Sequence, residues 1–278
     1  MGLNLTMPGM ELRTLALSAI QQNDPDLKVG LVFDAWPLLP EQVIDPARQF
    51  EAPQGVPGRP LRPRLISPAE VPQRSPYTPR GLAALMHAVC HIEFNAINLA
   101  LDAVWRYADL PHEYYLDWWR VAAEEAGHFV MVRQHLRQLG FEYGDFDAHD
   151  GLWAMCEETA ADVVARMALV PRTLEARGLD ATPIIQAKLR KVSTPEANTA
   201  VEVLDVILHD EIGHVAVGNR WYHWLCQQMG LDPVAHDLVL QERHRAPRLK
   251  PPFNLVARRQ AGFSPQEMTQ WEGHGLSR

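Results

Sequence analysis

Apolar positions recur at three- and four-residue spacing along several long stretches, and this period predicts an all-α chain. From about Gly81 to Tyr107 the stripe runs through Leu82, Leu85, Met86, Val89, Ile92, Ala96, Ile97, Ala100, Leu101 and Val104, with Glu93 inside it. From about Glu113 to Leu139, Tyr115, Trp118, Ala122, Glu125, Phe129, Val132 and Leu136 share a face, and Gly140 is the expected stop. A fourth helix over Pro195 to Met229 lines up Val201, Leu204, Leu208, Glu211, Val215, Gly218 and Leu225. The third lies between, and Pro171 and Gly178 predict that it kinks or ends near Glu175.

Two of these stripes contain the same motif. Glu124-Glu125-Ala126-Gly127-His128 and Asp210-Glu211-Ile212-Gly213-His214 both read acid-Glu-x-Gly-His. Residues three apart share a helix face, so each Glu-x-x-His aims a carboxylate and an imidazole at one point. A four-helix bundle that binds two metal ions uses one such pair from each of two helices and a single Glu from each of the other two. Glu93 lies 32 residues before Glu125 and Glu175 lies 36 before Glu211, which suits antiparallel helices joined by short connections. The expected ligand set is therefore Glu93, Glu125, His128, Glu175, Glu211 and His214. Glu157, Glu158 and Asp162 compete with Glu175 but sit too far along an uninterrupted helix to reach the same level. Burying such a set without a cation costs several kcal/mol for each ionised group, so a metal is favoured over a bare polar network.

Glu124 and Asp210 stand four residues before the two histidines, where an acid can hold the far ring N–H of a metal-bound imidazole. Gly127 and Gly213 each cost a helix about 1 kcal/mol relative to alanine. Their recurrence predicts a close approach by a neighbouring helix, or room at the metal. Four oxygen and two nitrogen donors suit two iron ions, with a manganese–iron pair as the alternative, whereas structural zinc favours thiolates. Cys90, Cys156 and Cys226 form no Cys-x-x-Cys and read as core residues in a reducing compartment. His87 and His91 lack an acid or thiol that would complete a second site. Trp118, Trp119, Trp221, Trp224, Tyr115 and Tyr222 read as core aromatics rather than an electron relay.

The paired ligand pattern resembles the ferritin-like di-iron carboxylate superfamily. The runs His209-Asp210-Glu211-Ile212-Gly213-His214 and Leu174-Glu175-Ala176-Arg177-Gly178-Leu179-Asp180 more closely resemble a bacterial ferritin-like family of unassigned function, DUF455. So do Pro252-Phe253-Asn254 and Ala257-Arg258-Arg259-Gln260-Ala261-Gly262-Phe263. That resemblance covers about Tyr77 to Phe263. It implies a ferritin-like antiparallel four-helix bundle and a di-iron site, and no substrate.

Thirteen of the 22 prolines precede residue 80, so residues 1–76 are expected to form one short helix, Met10 to Gln22, and an extended arm packed on the bundle. The bundle takes residues 77–230 and a proline-punctuated extension 231–278. No apolar run is long enough to span a membrane and the start lacks a basic segment before an apolar one, so a cytoplasmic protein is expected. The net charge of −8 argues against nucleic acid as the main partner. Against that, Arg243, Arg245, Arg248, Lys250, Arg258 and Arg259 cluster in the tail, where they either pair with the protein's own acids or hold an anion. The functional expectation is an O2-dependent oxidase or hydroxylase of a small organic substrate, served by an electron-donor protein. A tRNA-modifying hydroxylase and a non-enzymatic iron-handling protein are the alternatives.

Overall fold

The computed structural model of the chain describes residues 10–72 and 74–275, with side chains through residue 271. The first nine residues, on which the reading of the N-terminal start partly rests, lie outside this range. Among the described residues every regular element is helical, and the sole β pairing is an isolated parallel bridge between Leu65 and Ala148. The chain divides into two compact units, the first ending at Gly151 and the second beginning at Leu152.

The first unit is built on α3 (Pro79–Arg106) and α4 (His112–Gln138), which pack along one another and are joined by residues 107–111. Thr78 starts α3: its hydroxyl accepts from the Gly81 amide at 3.1 Å, and Pro79 occupies the first helical turn, where a missing N–H costs nothing. Gly140, at φ +82, ends α4, with Gly140 N–H donating to Arg137 O and Phe141 N–H to Leu136 O. The stripe expected on α4 is buried at every position, whereas on α3 Ile92 is 49% exposed. Of the described helices, only α3 is long and apolar enough by length and composition to cross a membrane. Most of its apolar window, 78%, is buried inside the protein, which is the behaviour of a core helix.

The N-terminal segment is more helical than its prolines suggest. After α1 (Leu12–Ile20) comes α2 (Pro25–Ala35) and then a 3-10 turn over Trp36–Glu41. Proline is well tolerated in a first helical turn, and Asp24 caps α2 by accepting from Asp26 N–H. The arm does pack on the α3–α4 pair, α1 against α3 and α2 against α4. Leu31, Val32 and Leu39 are buried, while Phe33, Trp36 and Leu38 remain substantially exposed. Fully buried Arg13 fastens α1 to the end of α3: its guanidinium donates to Val104 O and Trp105 O, and also to Asp45 O, Pro46 O and Arg48 O. Those carbonyls at the α3 terminus have no partner within the helix, so the cation satisfies groups that burial would otherwise leave open.

In the second unit the expected third helix is not one rod. It is broken into α5 (Gly151–Glu158), α6 (Val163–Leu169), a π turn over Val170–Glu175 and α7 (Arg177–Val192). Pro171 has no N–H and disfavours helical geometry just before it, and the chain answers with a wide turn in which Ala176 N–H donates to Pro171 O. α8 (Pro195–Met229) packs against α6, the π turn and α7, and stops at Gly230, φ +67.

The tail adds α9 (Pro233–Arg243), α10 (Leu255–Gln260) and α11 (Pro265–Gly275). Two buried arginines hold it. Arg172 of the π turn donates to Asn219 on α8 at 2.6 Å, to Asp237 on α9 at 3.0 Å, and to Glu267 on α11. Arg258 on α10 forms a two-pronged pair with Asp180 on α7.

Candidate metal centre

Glu93 lies midway along α3, and Glu125 and His128 lie midway along α4, so the α3–α4 packing carries all three to one level. They are 5%, 2% and 3% exposed. His128 Nδ1 stands 3.3 Å from Glu125 Oε2 and 3.4 Å from Glu93 Oε2, and one donor atom from each of the three residues lies within 4.8 Å of the others. The second unit repeats the motif on α8: His214 Nδ1 is 3.2 Å from Glu211 Oε2, with the histidine buried and the carboxylate 12% exposed. Neither Glu125 nor Glu211 faces bulk solvent. Both motifs turn the Nδ1 edge of the imidazole toward the carboxylate three residues earlier, as the helical repeat requires.

The electrostatics of the first cluster suit a cation. Burial raises the Glu93 carboxyl well above the usual carboxylate range, and the neighbouring Glu125 charge raises it further. At His128 burial works against the charged imidazolium, but hydrogen bonds to Glu125 and Glu93, together with their charges, outweigh it and hold the proton tightly. The cluster therefore holds, in a dry place, a proton that an isolated carboxylate or imidazole would lose. A divalent ion bound here would displace that proton and satisfy both carboxylates together, so the donor set of two oxygens and one nitrogen fits a borderline metal such as iron or manganese.

Glu175 ends the π turn and is partly buried. Among the described residues it does not join a close group of three or more ligand-type side chains. Its turn does lead to the α8 motif, because the Cα of Gly178 faces the Glu211 carboxylate, with room for a Cβ 3.6 Å from Oε1. Its competitors are occupied elsewhere: Glu157 accepts from Trp153 Nε1, Glu158 meets His244, and Asp162 caps α6. Glu124 and Asp210 are both partly buried.

The two repeated glycines are not close-approach sites. A Cβ at Gly127 or Gly213 would meet nothing within 4 Å, so helix packing does not explain them. The close approach on α8 is instead at Gly218, where a Cβ would fall 2.5 Å from the Pro171 ring. His87 and His91 are structural. His87 Nε2 accepts from Gly144 N–H, and His91 bonds Tyr143 Oη and Asn95. Burial lowers both to about 4.

Sequence periodicity missed Lys28, a fully buried lysine on α2. Its ammonium donates to Gly58 O at 2.9 Å and to Asn98 Oδ1, and lies 4.8 Å from the Phe94 ring centre. No signal marks it, since one lysine on a short helix normally points to water.

A family model described as "Protein of unknown function (DUF455)" matches residues 21–269, a wider span than the sequence resemblance covered. An "Uncharacterized protein" of Haemophilus influenzae is 45% identical over 262 residues, covering 90% of each chain. No solved structure matches.

Proposed function

The chain belongs to the DUF455 family, and we propose that it is a non-haem dinuclear iron protein acting as an O2-dependent oxidase or hydroxylase of a small organic substrate. The observation that carries the reading is the buried triad of Glu93, Glu125 and His128 together with the same Glu-x-x-His geometry on α8. In this proposal the metal ligands are Glu93, Glu125, His128, Glu175, Glu211 and His214. The fold class proposed with it is the ferritin-like antiparallel four-helix bundle.

A pair of iron ions would supply two-electron reduction of dioxygen. Glu93 and Glu125 would deliver carboxylate oxygens, His128 and His214 would deliver Nδ1, and burial of the α3–α4 triad excludes water. Taking up metal obliges His128 to give up the proton it shares with the carboxylates, so metal binding should release protons. Glu175 ends a π turn, and such turns are frequent at functional sites.

Anaerobic loading of the apoprotein with Fe(II), followed by oxygen, tests this. A near-UV absorbance change that saturates at two iron per chain is expected. Its absence would remove oxygen activation from the account.

A further inference from the structure

The second unit contains a cavity of about 440 Å3 between the first half of α7 and the non-helical segment that precedes α10. Arg177, Asp180 and Ile184 line it from α7, and Arg248, Leu249 and Lys250 from the segment. Three of these six are cations. The single acid among them, Asp180, has both carboxylate oxygens turned to the Arg258 guanidinium and also accepts from the Asn254 amide at 2.8 Å. Its charge is thus already neutralised. Among the described residues no carboxylate comes within ion-pair distance of Arg177, Arg248 or Lys250, on a chain whose net charge is −8. Most acids of such a chain would be expected to find exposed cations nearby, so three that converge on one cavity without an acid partner form a positive focus.

From this arrangement we infer that the cavity binds the phosphate group of a small phosphorylated molecule. The volume is that of a small-ligand pocket and too small for a macromolecular segment to enter in depth. Cations arriving from two walls match the several terminal oxygens of a phosphate better than a planar carboxylate, which one arginine fork already saturates. The walls are pre-set. Asn254 donates from its side chain to Leu179 O, and Arg258 ties α10 to Asp180 and Ala176 O, so the segment bearing Arg248 and Lys250 is anchored directly to the helix bearing Arg177. Pro247, Pro251 and Pro252 stiffen the same stretch, which reduces the ordering cost of closing on a ligand.

The test is calorimetric titration of the full chain with inorganic pyrophosphate as probe, with no metal required, so that its outcome is separate from the iron reading. One saturable site is expected. Removing one charge-assisted hydrogen bond should weaken binding by about tenfold, so R248A/K250A should fall by roughly a hundredfold. The paired control R243A/R245A removes two exposed cations of the same tail that do not line the cavity, and should change affinity less than about threefold. Circular dichroism of both variants checks that the exposed substitutions leave the helices intact. No saturable binding to the wild-type chain, or an equal loss in both variants, would overturn the assignment. So would an RNA oligonucleotide that binds more tightly than pyrophosphate and gains with length, since that marks an open polyanion surface.

Discussion

Lys28 offers a stability prediction that can be worked through in numbers. Burial, and secondarily the charge of Arg59, lower its ammonium from 10.5 to about 7. Its partners, a carbonyl, an amide oxygen and the Phe94 ring, are neutral, so they only partly replace the water lost around the charge. An unfolded lysine keeps its proton up to about pH 10.5, whereas the folded one releases it near 7. Between those values the unfolded state holds one more proton, and stability rises with pH. The full displacement is worth about 5 kcal/mol, and about 3 kcal/mol of it is regained between roughly pH 6.5 and pH 9.5. Lys28→Met keeps the stem and removes the titration, at the cost of leaving Gly58 O and Asn98 Oδ1 without this donor. That offset does not vary with pH. Urea denaturation of both proteins across the window should therefore show the wild-type curve rising relative to the variant by about 3 kcal/mol. Parallel curves would mean that the ammonium is not desolvated and that the reasoning fails.

Gly218→Ala should destabilise the second unit by roughly 1–3 kcal/mol, read as a lower urea midpoint, because its Cβ would overlap the Pro171 ring and push the π turn off α8. Gly127→Ala and Gly213→Ala should each raise stability by up to about 1 kcal/mol in metal-free protein, since the added methyl meets nothing and alanine favours helix. If the space serves the metal centre, the same variants should bind iron more weakly, and unchanged affinity would argue that the glycines have no part in it. Metal uptake should release protons, measurable by titration in a weakly buffered solution, and the release should shrink in His128→Ala.

What the sequence disclosed was what periodicity carries. α4 and α8 have their expected extents to within a residue, and the α4 stripe is buried throughout, because a long amphipathic helix is over-determined by its spacing. Glu93, Glu125 and His128 meet because helical spacing and a short connection leave little freedom. The run from Glu157 to Val192 was less legible. Proline marked a disturbance there, but whether a helix bends, ends or widens into a π turn depends on what packs against it, here Gly218 and the Arg172 partners on three other helices. Proline also misled in residues 25–41, where capping by Asp24 made a helix start of what read as an extended arm. The tail's cations divided in a way composition does not predict: Arg258 is consumed by Asp180, whereas Arg248 and Lys250 face a cavity. Those pairings join residues some 70–80 positions apart, beyond the reach of any local pattern.

Elemental analysis of chelator-free protein, wild type beside Glu125→Ala, His128→Ala and Glu157→Ala, tests the metal centre most directly. The account predicts two iron or manganese ions per wild-type chain, loss of at least one with Glu125→Ala and His128→Ala, and no change with Glu157→Ala, whose carboxylate serves Trp153. A wild-type chain that takes up no metal when reconstituted, or one whose metal content is indifferent to Glu125 and His128, would contradict it.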